Sequence, residues 1–386
     1  MAQIDLPLAP VTGSCALPLR APRDDRPGAG AASDDLDAIG FEIGWDHAHY
    51  ASTPPLPHLH AGSPVRQGWD AGRANFGRRT LRANAAVRKW LQLRLSAWQR
   101  GRVFEGVQVT PHFVAQLGAT HCPITREALT LGCDAQSDAS IDRVNNRAGY
   151  AAGNLATMSV RANRAKGAYD WDDAMGFVRQ IEAGRLGSID GLGAAEWARL
   201  AVLMSFVTPL EHEVASCLPL LVLPPNRLRV LNPVQALQVV LTSVFTVPGY
   251  SRRLLGLAAL MPCDATRHTF RLFMHTLLAR RIAVGAQLNE SAARQAMEDT
   301  WADPLVNRRW QALALRLSPA QCEQVIDRAA RRGLVPAGCR RLGTEAATDG
   351  WGLESGGYVS AIAAGCGLGP RTPGSTRSFG SQKLAS

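Results

Sequence analysis

The pattern of apolar and polar positions predicts helices along most of the chain. Between residues 80 and 100, apolar residues recur at helical spacing, which predicts an amphipathic helix with Arg94 intruding on its apolar face. Asp170 is a suitable N-cap for a helix that ends near Gly184. The same spacing predicts further helices over residues 194–207, 210–223, 234–247, 251–261, 266–283, 292–299 and 319–332.

A different pattern interrupts the helices between residues 140 and 167. Residues 140–144 alternate as in a short strand, residues 145–149 have the composition of a turn, and residues 154–167 begin extended and become helical. A strand, a loop and a helix in this order can bring Asp142 and Asn163 together. Two oxygen ligands, completed by water and a phosphate oxygen, suit Mg²⁺ or Mn²⁺.

Periodicity is absent at both ends of the chain and ahead of the first helix. Residues 1–38 and 346–386 are rich in small residues and proline, which predicts a disordered leader and a flexible tail. Four prolines between residues 54 and 64 predict an extended Pro-rich arm over residues 39–79. The expected fold is mainly α with a small ββα module. In chain order we expect the leader, the arm, a basic helical segment at 80–120, the module at 121–168, a helical domain at 169–345 and the tail.

Composition restricts the class of protein. A chain of 386 residues with 46% hydrophobic and 19% charged residues has room for two or three globular domains. Its eight cysteines are scattered without a CxxC pair, which favours a reducing cytoplasmic location and argues against a four-thiolate zinc site. The N-terminus lacks the pattern of a signal peptide, and two prolines interrupt the uncharged run at 230–251, which predicts a buried helix and no membrane span.

Charge indicates an anionic partner. The formal net charge is +10, and a summed positive charge attracts polyphosphate before any specific contact forms. Residues 61–104 contain ten basic residues against the single acid Asp70, a net charge of ten minus one, or +9. This stretch is either the solvated face of an amphipathic helix or a surface that contacts phosphates. The candidate contacts in it are Arg78, Arg79, Arg88 and Lys89.

The stretch from His121 to Gly167 contains several short elements in a fixed order. They are Ser140-Ile141-Asp142-Arg143-Val144, Gly149-Tyr150, Gly153-Asn154 and Ala162-Asn163-Arg164-Ala165-Lys166, preceded by Cys122-Pro123-Ile124-Thr125. Together they resemble the HNH, or His-Me finger, endonucleases, in a phage-type subgroup. The resemblance covers roughly an eighth of the chain. It implies a ββα-metal module that cuts nucleic acid, with DNA the expected substrate, using one divalent metal ion.

The resemblance also implies roles for individual residues. Asp142 and Asn163 would bind the metal, while Asn154 would fix the loop between the strands by hydrogen bonds. Arg164, Lys166 and Arg161 would hold the phosphate backbone. Gly149, Tyr150 and Cys122 would support the site structurally.

The position after Asp142 departs from the common pattern of this family. Most members carry the general-base histidine there, whereas this chain has Arg143, whose pKa is too high for it to accept a proton near neutrality. His121 is the nearest upstream histidine and is the candidate base if the Cys122 segment folds over the site. The histidine pairs 47/49 and 58/60 are weaker metal candidates, with ordinary loop histidines as the alternative.

Three functions remain open at this point. The first is a metal-dependent endonuclease whose basic segment grips DNA. The second is a catalytically degenerate HNH-fold module that binds nucleic acid and engages a protein partner through its C-terminal helices. The third is a helical interaction protein in which Asp142 and Arg143 form a surface ion pair and Asn154 and Asn163 cap turns or helices.

Overall fold

The structure is a computed structural model that describes residues 32–247, 249–285, 290–335 and 342–353. These residues are mainly helical and contain one small sheet, in which β1 (Ala139–Arg143) and β2 (Leu155–Ser159) pair antiparallel. No helix among them is long and apolar enough to cross a membrane. The helices are α1 (Ala32–His49), α2 (Pro64–Phe76), α3 (Ala85–Gln99), α4 (Pro111–Gln116), α5 (Val160–Lys166), α6 (Trp171–Glu182), α7 (Ala194–Phe206), α8 (His212–Cys217), α9 (Pro233–Ser243), α10 (Tyr250–Ala258), α11 (Asp264–Ala283), α12 (Glu290–Asp299), α13 (Pro304–Ala314), α14 (Pro319–Arg331) and α15 (Thr344–Thr348).

The extended arm predicted over residues 39–79 is wrong, because α1 and α2 form a closely packed helical pair there. The prolines do not break these helices. Three lie in the connection, and Pro64 occupies the first turn of α2, where a backbone N–H would have no partner within the helix. Glycines make the close contact. A side chain at Gly44 would collide with the Val65 carbonyl, and one at Gly68 with the Phe41 carbonyl.

Helix α3 confirms the amphipathic helix predicted before the module. The Asn84 side chain caps it by accepting a hydrogen bond from the Val87 N–H at 2.9 Å. Trp90 and Leu91 are buried, as the apolar stripe requires. Arg94 lies on the same side, where its guanidinium covers the Trp90 ring and forms an ion pair with Asp46 of α1.

Most of the helices predicted after residue 169 are confirmed. Asp170 caps α6 in a capping box with Asp173, and Gly184 follows the helix at a φ of 72°. The helix predicted over residues 210–223 is confined to α8, because Pro219 lies beyond it and cannot continue a helix. Helix α13 was not predicted; it begins with Pro304 after the cap Asp303.

The small sheet shares a hydrophobic core with the C-terminal helices. One buried cluster includes residues of the sheet region and of α7, α9 and α11, while a second joins α3 and α4 to the loop between the strands. Sheet-side members of the first cluster are Cys122, Ile124, Val144, Met158 and Ala162. Residues 121–167 are therefore held between the N-terminal and C-terminal helices.

The predictions for the two ends fall mostly outside the described residues, which exclude 1–31 and 354–386. Short parts of both ends are described, and they differ from the predicted leader and tail. Residues 32–38 belong to α1, and residues 346–353 of the predicted tail include Trp351, which is fully buried. A large aromatic side chain anchors this short segment because its burial removes much apolar surface from water.

Candidate functional site

The two strands and α5 bring Asp142 and Asn163 to one face. Ser140 and Asp142 are two residues apart on β1, so their side chains point to the same side of the sheet, about 7 Å apart along the strand. The Ser159 hydroxyl accepts a hydrogen bond from the Ala162 N–H and starts α5 directly after β2. From α5, the Asn163 amide donates to the Ser140 hydroxyl at 2.9 Å.

The Asp142 carboxylate has one partner on each oxygen. The Tyr150 hydroxyl donates to Oδ1 at 3.3 Å, and the Lys166 ammonium donates to Oδ2 at 3.4 Å. The Asp142 side chain remains 14% exposed, whereas that of Lys166 is completely buried. The carboxylate is therefore the member of this pair that solvent reaches.

The position of Lys166 corrects the expectation that it holds a phosphate backbone. Its side chain is buried beneath Asp142, and its ammonium also donates to the Asn146 side-chain oxygen at 2.8 Å. Burial lowers the pKa of Lys166, and the Asp142 carboxylate partly offsets this effect. Lys166 therefore lies inside the site and not on the surface, because α5 places it on its inner face.

Two arginines add positive charge around Asp142. Arg143 is buried, donates from one terminal nitrogen to the carbonyls of Asn146 and Ala148 at 3.0 Å, and lies 5.1 Å from the centre of the Tyr150 ring. Arg100, directly after α3, donates to the Tyr150 hydroxyl at 2.9 Å. The two guanidinium groups outnumber the one carboxylate, so the site is positively charged, which favours an anion.

Asn154 holds the loop between β1 and β2. Its side-chain oxygen accepts from the Asn145 N–H at 2.8 Å, and its amide donates to the Asn145 and Gly149 carbonyls, each at 3.0 Å. Asn154 is fully buried. These three hydrogen bonds fix the path of the loop that carries Tyr150 to Asp142.

Trp351 supports the same loop from the far end of the chain. Its carbonyl accepts from the Gly149 N–H at 2.7 Å, and its indole N–H donates to the Ala152 carbonyl at 3.0 Å. Sequence reasoning missed both Trp351 and Arg100. The signal that was available for Trp351 was a large aromatic residue within a stretch otherwise assigned to a flexible tail.

Cys122 and His121 lie on the segment before the sheet. The buried Cys122 sulfur accepts hydrogen bonds from the N–H groups of Ser159 and Thr125, at 3.2 and 3.4 Å. It therefore supports the junction of β2 and α5. His121 is exposed and bonds to the Thr120 hydroxyl. Within the described part of the chain, no hydrogen bond joins His121 to Asp142.

The residues expected to contact nucleic acid differ in exposure and in whether an acid already pairs with them. Arg161 corrects the expectation, because it forms ion pairs with Glu127 and Glu196. Lys89 is half-buried, its ammonium donates to the Gln92 side chain, and burial lowers its pKa. The exposed members, which remain accessible to a phosphate, are Arg164 on α5 and Arg78, Arg79 and Arg88 around the start of α3.

A metal ion at this site would depend on few protein ligands. The described residues contain no group of three or more His, Cys, Asp and Glu side chains able to hold one. The Asn163 amide oxygen accepts no hydrogen bond there, and Asp142 faces solvent. These two oxygens match a Mg²⁺ site completed by water and phosphate, provided that the ammonium of Lys166 moves away from Asp142 or loses its proton.

Comparisons of the chain with family models, with curated proteins and with solved structures found no match.

Proposed function

We propose that residues 121–167 form an HNH-type endonuclease site that hydrolyses phosphodiester bonds in DNA with one divalent metal ion, Mg²⁺ or Mn²⁺. The observation that carries the proposal is the β1–β2–α5 arrangement, in which Asn163 bonds to Ser140 on the face that presents Asp142. The scattered cysteines favour cytoplasm as the site of action.

The chemistry assigned to each residue follows from its position. Asp142 and Asn163 offer the oxygen ligands, and a bound metal would polarise the scissile phosphate and neutralise the leaving oxygen. The positive charge of Arg100 and Arg143 favours entry of the phosphate. The proton acceptor is not Arg143, because a guanidinium stays protonated and this one is already bonded to two carbonyls.

A plasmid-nicking assay with Mg²⁺ or Mn²⁺ tests the proposal. We expect the wild-type chain to nick DNA, and we expect Asp142→Asn and Asn163→Ala each to reduce the rate about 100-fold or more, because loss of a supporting contact already costs about 10- to 100-fold and these two are direct ligands. Matched controls are Asp134→Asn and Asn226→Ala, both at exposed positions. Nicking that survives EDTA, or that both site variants retain, contradicts the proposal.

A second candidate is a degenerate HNH-fold module that binds DNA without cutting it and uses its helical region to bind a protein partner. Two observations favour it: Lys166 occupies one oxygen of Asp142, and Arg143 stands at the base position. Exposed apolar side chains in the helical region, such as Leu255 at 78% and Ile282 at 63%, offer a surface for the partner. Metal-dependent nicking that Asp142→Asn abolishes excludes this candidate.

A further inference from the structure

An open cleft of about 470 Å³ lies between the end of α1 and the start of α3. Its two walls are residues 50–53 and 80–83. Hydrogen bonds fix both walls: the Leu81 N–H donates to the His49 carbonyl at 2.8 Å, and the Trp69 indole donates to the Ser52 carbonyl at 3.1 Å. The cleft is therefore a fixed feature of the fold.

The cleft is positively charged. Arg82 and Arg88 line it, and Arg78 and Arg79 lie in the segment that leads into it. All four arginines are exposed, and none of them forms an ion pair within the described residues. Residues 71–104 contain no acid that could neutralise them. The remaining polar groups, which include the hydroxyls of Ser52, Thr53 and Thr80, add hydrogen-bond donors suited to phosphate oxygens.

Other arginines of the basic stretch already have partners. Arg66 pairs with Asp70 and Arg94 pairs with Asp46. Arg100 donates to the neutral Tyr150 hydroxyl, so its charge belongs to the Asp142 site. The net charge of +9 found in the sequence is thus not spread evenly over the surface. Four arginines without an ion pair among the described residues lie at or beside the cleft: 78, 79, 82 and 88.

Helix α3 runs from the cleft to the arginine that contacts Tyr150, the partner of Asp142. Arg88 lies in its first turns, and Arg100, which reaches the site through Tyr150, follows its last residue. These arginines are 12 positions apart in the numbering, and a rise of 1.5 Å per residue separates them by about 18 Å along the helix. Phosphates of one DNA strand advance about 3.4 Å along the duplex axis per base pair, so a duplex whose axis runs parallel to α3 places about five base pairs over this distance.

We propose that this cleft is a second contact for the phosphate backbone of duplex DNA, about five base pairs from the phosphate held at Asp142. The inference rests on the proposed function for the position of the scissile phosphate. Charge complementarity identifies the occupant, because the cleft offers cations and hydroxyl donors and the substrate offers regularly spaced anions.

Fluorescence anisotropy with the full chain in EDTA tests the proposal, since no metal-dependent cleavage occurs there. The ligands are DNA hairpins with stems of about 4 to 16 base pairs, a range that brackets the calculated separation. The wild type is compared with Arg82→Gln/Arg88→Gln and with Arg308→Gln/Arg332→Gln, which removes two exposed arginines elsewhere. Unchanged thermal unfolding midpoints establish that the variants are folded.

The informative quantity is the ratio of wild-type to variant affinity, in which effects of stem length alone cancel. For the cleft variant we expect a ratio near 1 on the shortest stems, rising to about tenfold or more beyond about six base pairs at 0.1 M salt, and a salt slope smaller by about 2. A ratio that does not depend on length, or an equal loss in the control pair, overturns the proposal. Because binding is measured without cleavage, this result is independent of whether the chain nicks DNA.

Discussion

Asn154→Ala is the substitution whose effect on stability follows most directly from the geometry. The side chain is fully buried and makes three hydrogen bonds to the backbone of residues 145 and 149. Alanine leaves the Asn145 N–H and the Gly149 carbonyl without these partners and removes one of the two hydrogen bonds that the Asn145 carbonyl accepts. Each lost bond costs about 1 kcal/mol. We therefore expect the free energy of unfolding to fall by about 3 kcal/mol.

Urea denaturation at neutral pH measures this change. Asn226→Ala is the matched control, because Asn226 is exposed and its amide makes one hydrogen bond of 3.3 Å to the Gly118 carbonyl. We expect the control to lose less than about 1 kcal/mol. A loss below about 1 kcal/mol in Asn154→Ala, or an equal loss in both variants, refutes the assignment of Asn154 as the brace of this loop.

Two further predictions concern the supports of the site and the N-terminal helices. Trp351→Phe should reduce the free energy of unfolding by about 1–2 kcal/mol more than Trp301→Phe. Both indoles are fully buried, but only that of Trp351 donates a hydrogen bond, whereas the Trp301 N–H has no partner among the described residues. Equal losses in urea denaturation argue against the role of the Trp351 indole. Burial lowers the pKa of His47 to about 4. As the pH falls below 6.5, His47 takes up a proton in the unfolded chain but not in the folded one. The free energy of unfolding should therefore fall between pH 6.5 and 4, by at most about 3 kcal/mol. His47→Gln should remove this part of the pH dependence, and an unchanged pH dependence in the variant contradicts the role of His47.

Short-range signals explain what the sequence predicts well. The alternation of residues 140–144, the turn that follows and the change from extended to helical over residues 154–167 are all local, and β1, β2 and α5 lie where these signals predict them. The Asp170 cap fixes the start of α6 in the same way. Local patterns are reliable here because they depend on backbone geometry and not on distant contacts.

The helical pair α1–α2 was not predicted, because the prolines between residues 54 and 64 were taken to indicate an extended chain. Gly40 and Gly44 on α1, and Gly68 and Gly72 on α2, repeat at a spacing of four residues. Small residues at this spacing allow two helices to approach closely, so this signal was present in the sequence. The prolines mark only the connection and the start of α2.

Long-range contacts explain what the sequence does not predict at the site. No local pattern indicates that Lys166 is buried beneath Asp142, since this depends on how α5 packs against β1. Arg100 reaches Tyr150 from α3, and Trp351 reaches the loop from almost 200 residues away, the indole–Ala152 bond spanning 199 positions. These contacts turn a set of motif residues into a positively charged site.

Mn²⁺ binding measured by electron paramagnetic resonance tests most directly whether Asp142 and Asn163 hold a metal. The account predicts one Mn²⁺ per wild-type chain in the presence of DNA, with binding lost in Asp142→Asn and weakened at least about 10-fold in Asn163→Ala. Asp134→Asn, at an exposed position in the same region, should bind Mn²⁺ as the wild type does. Binding that neither site variant changes, or no binding by the wild type, contradicts the central claim.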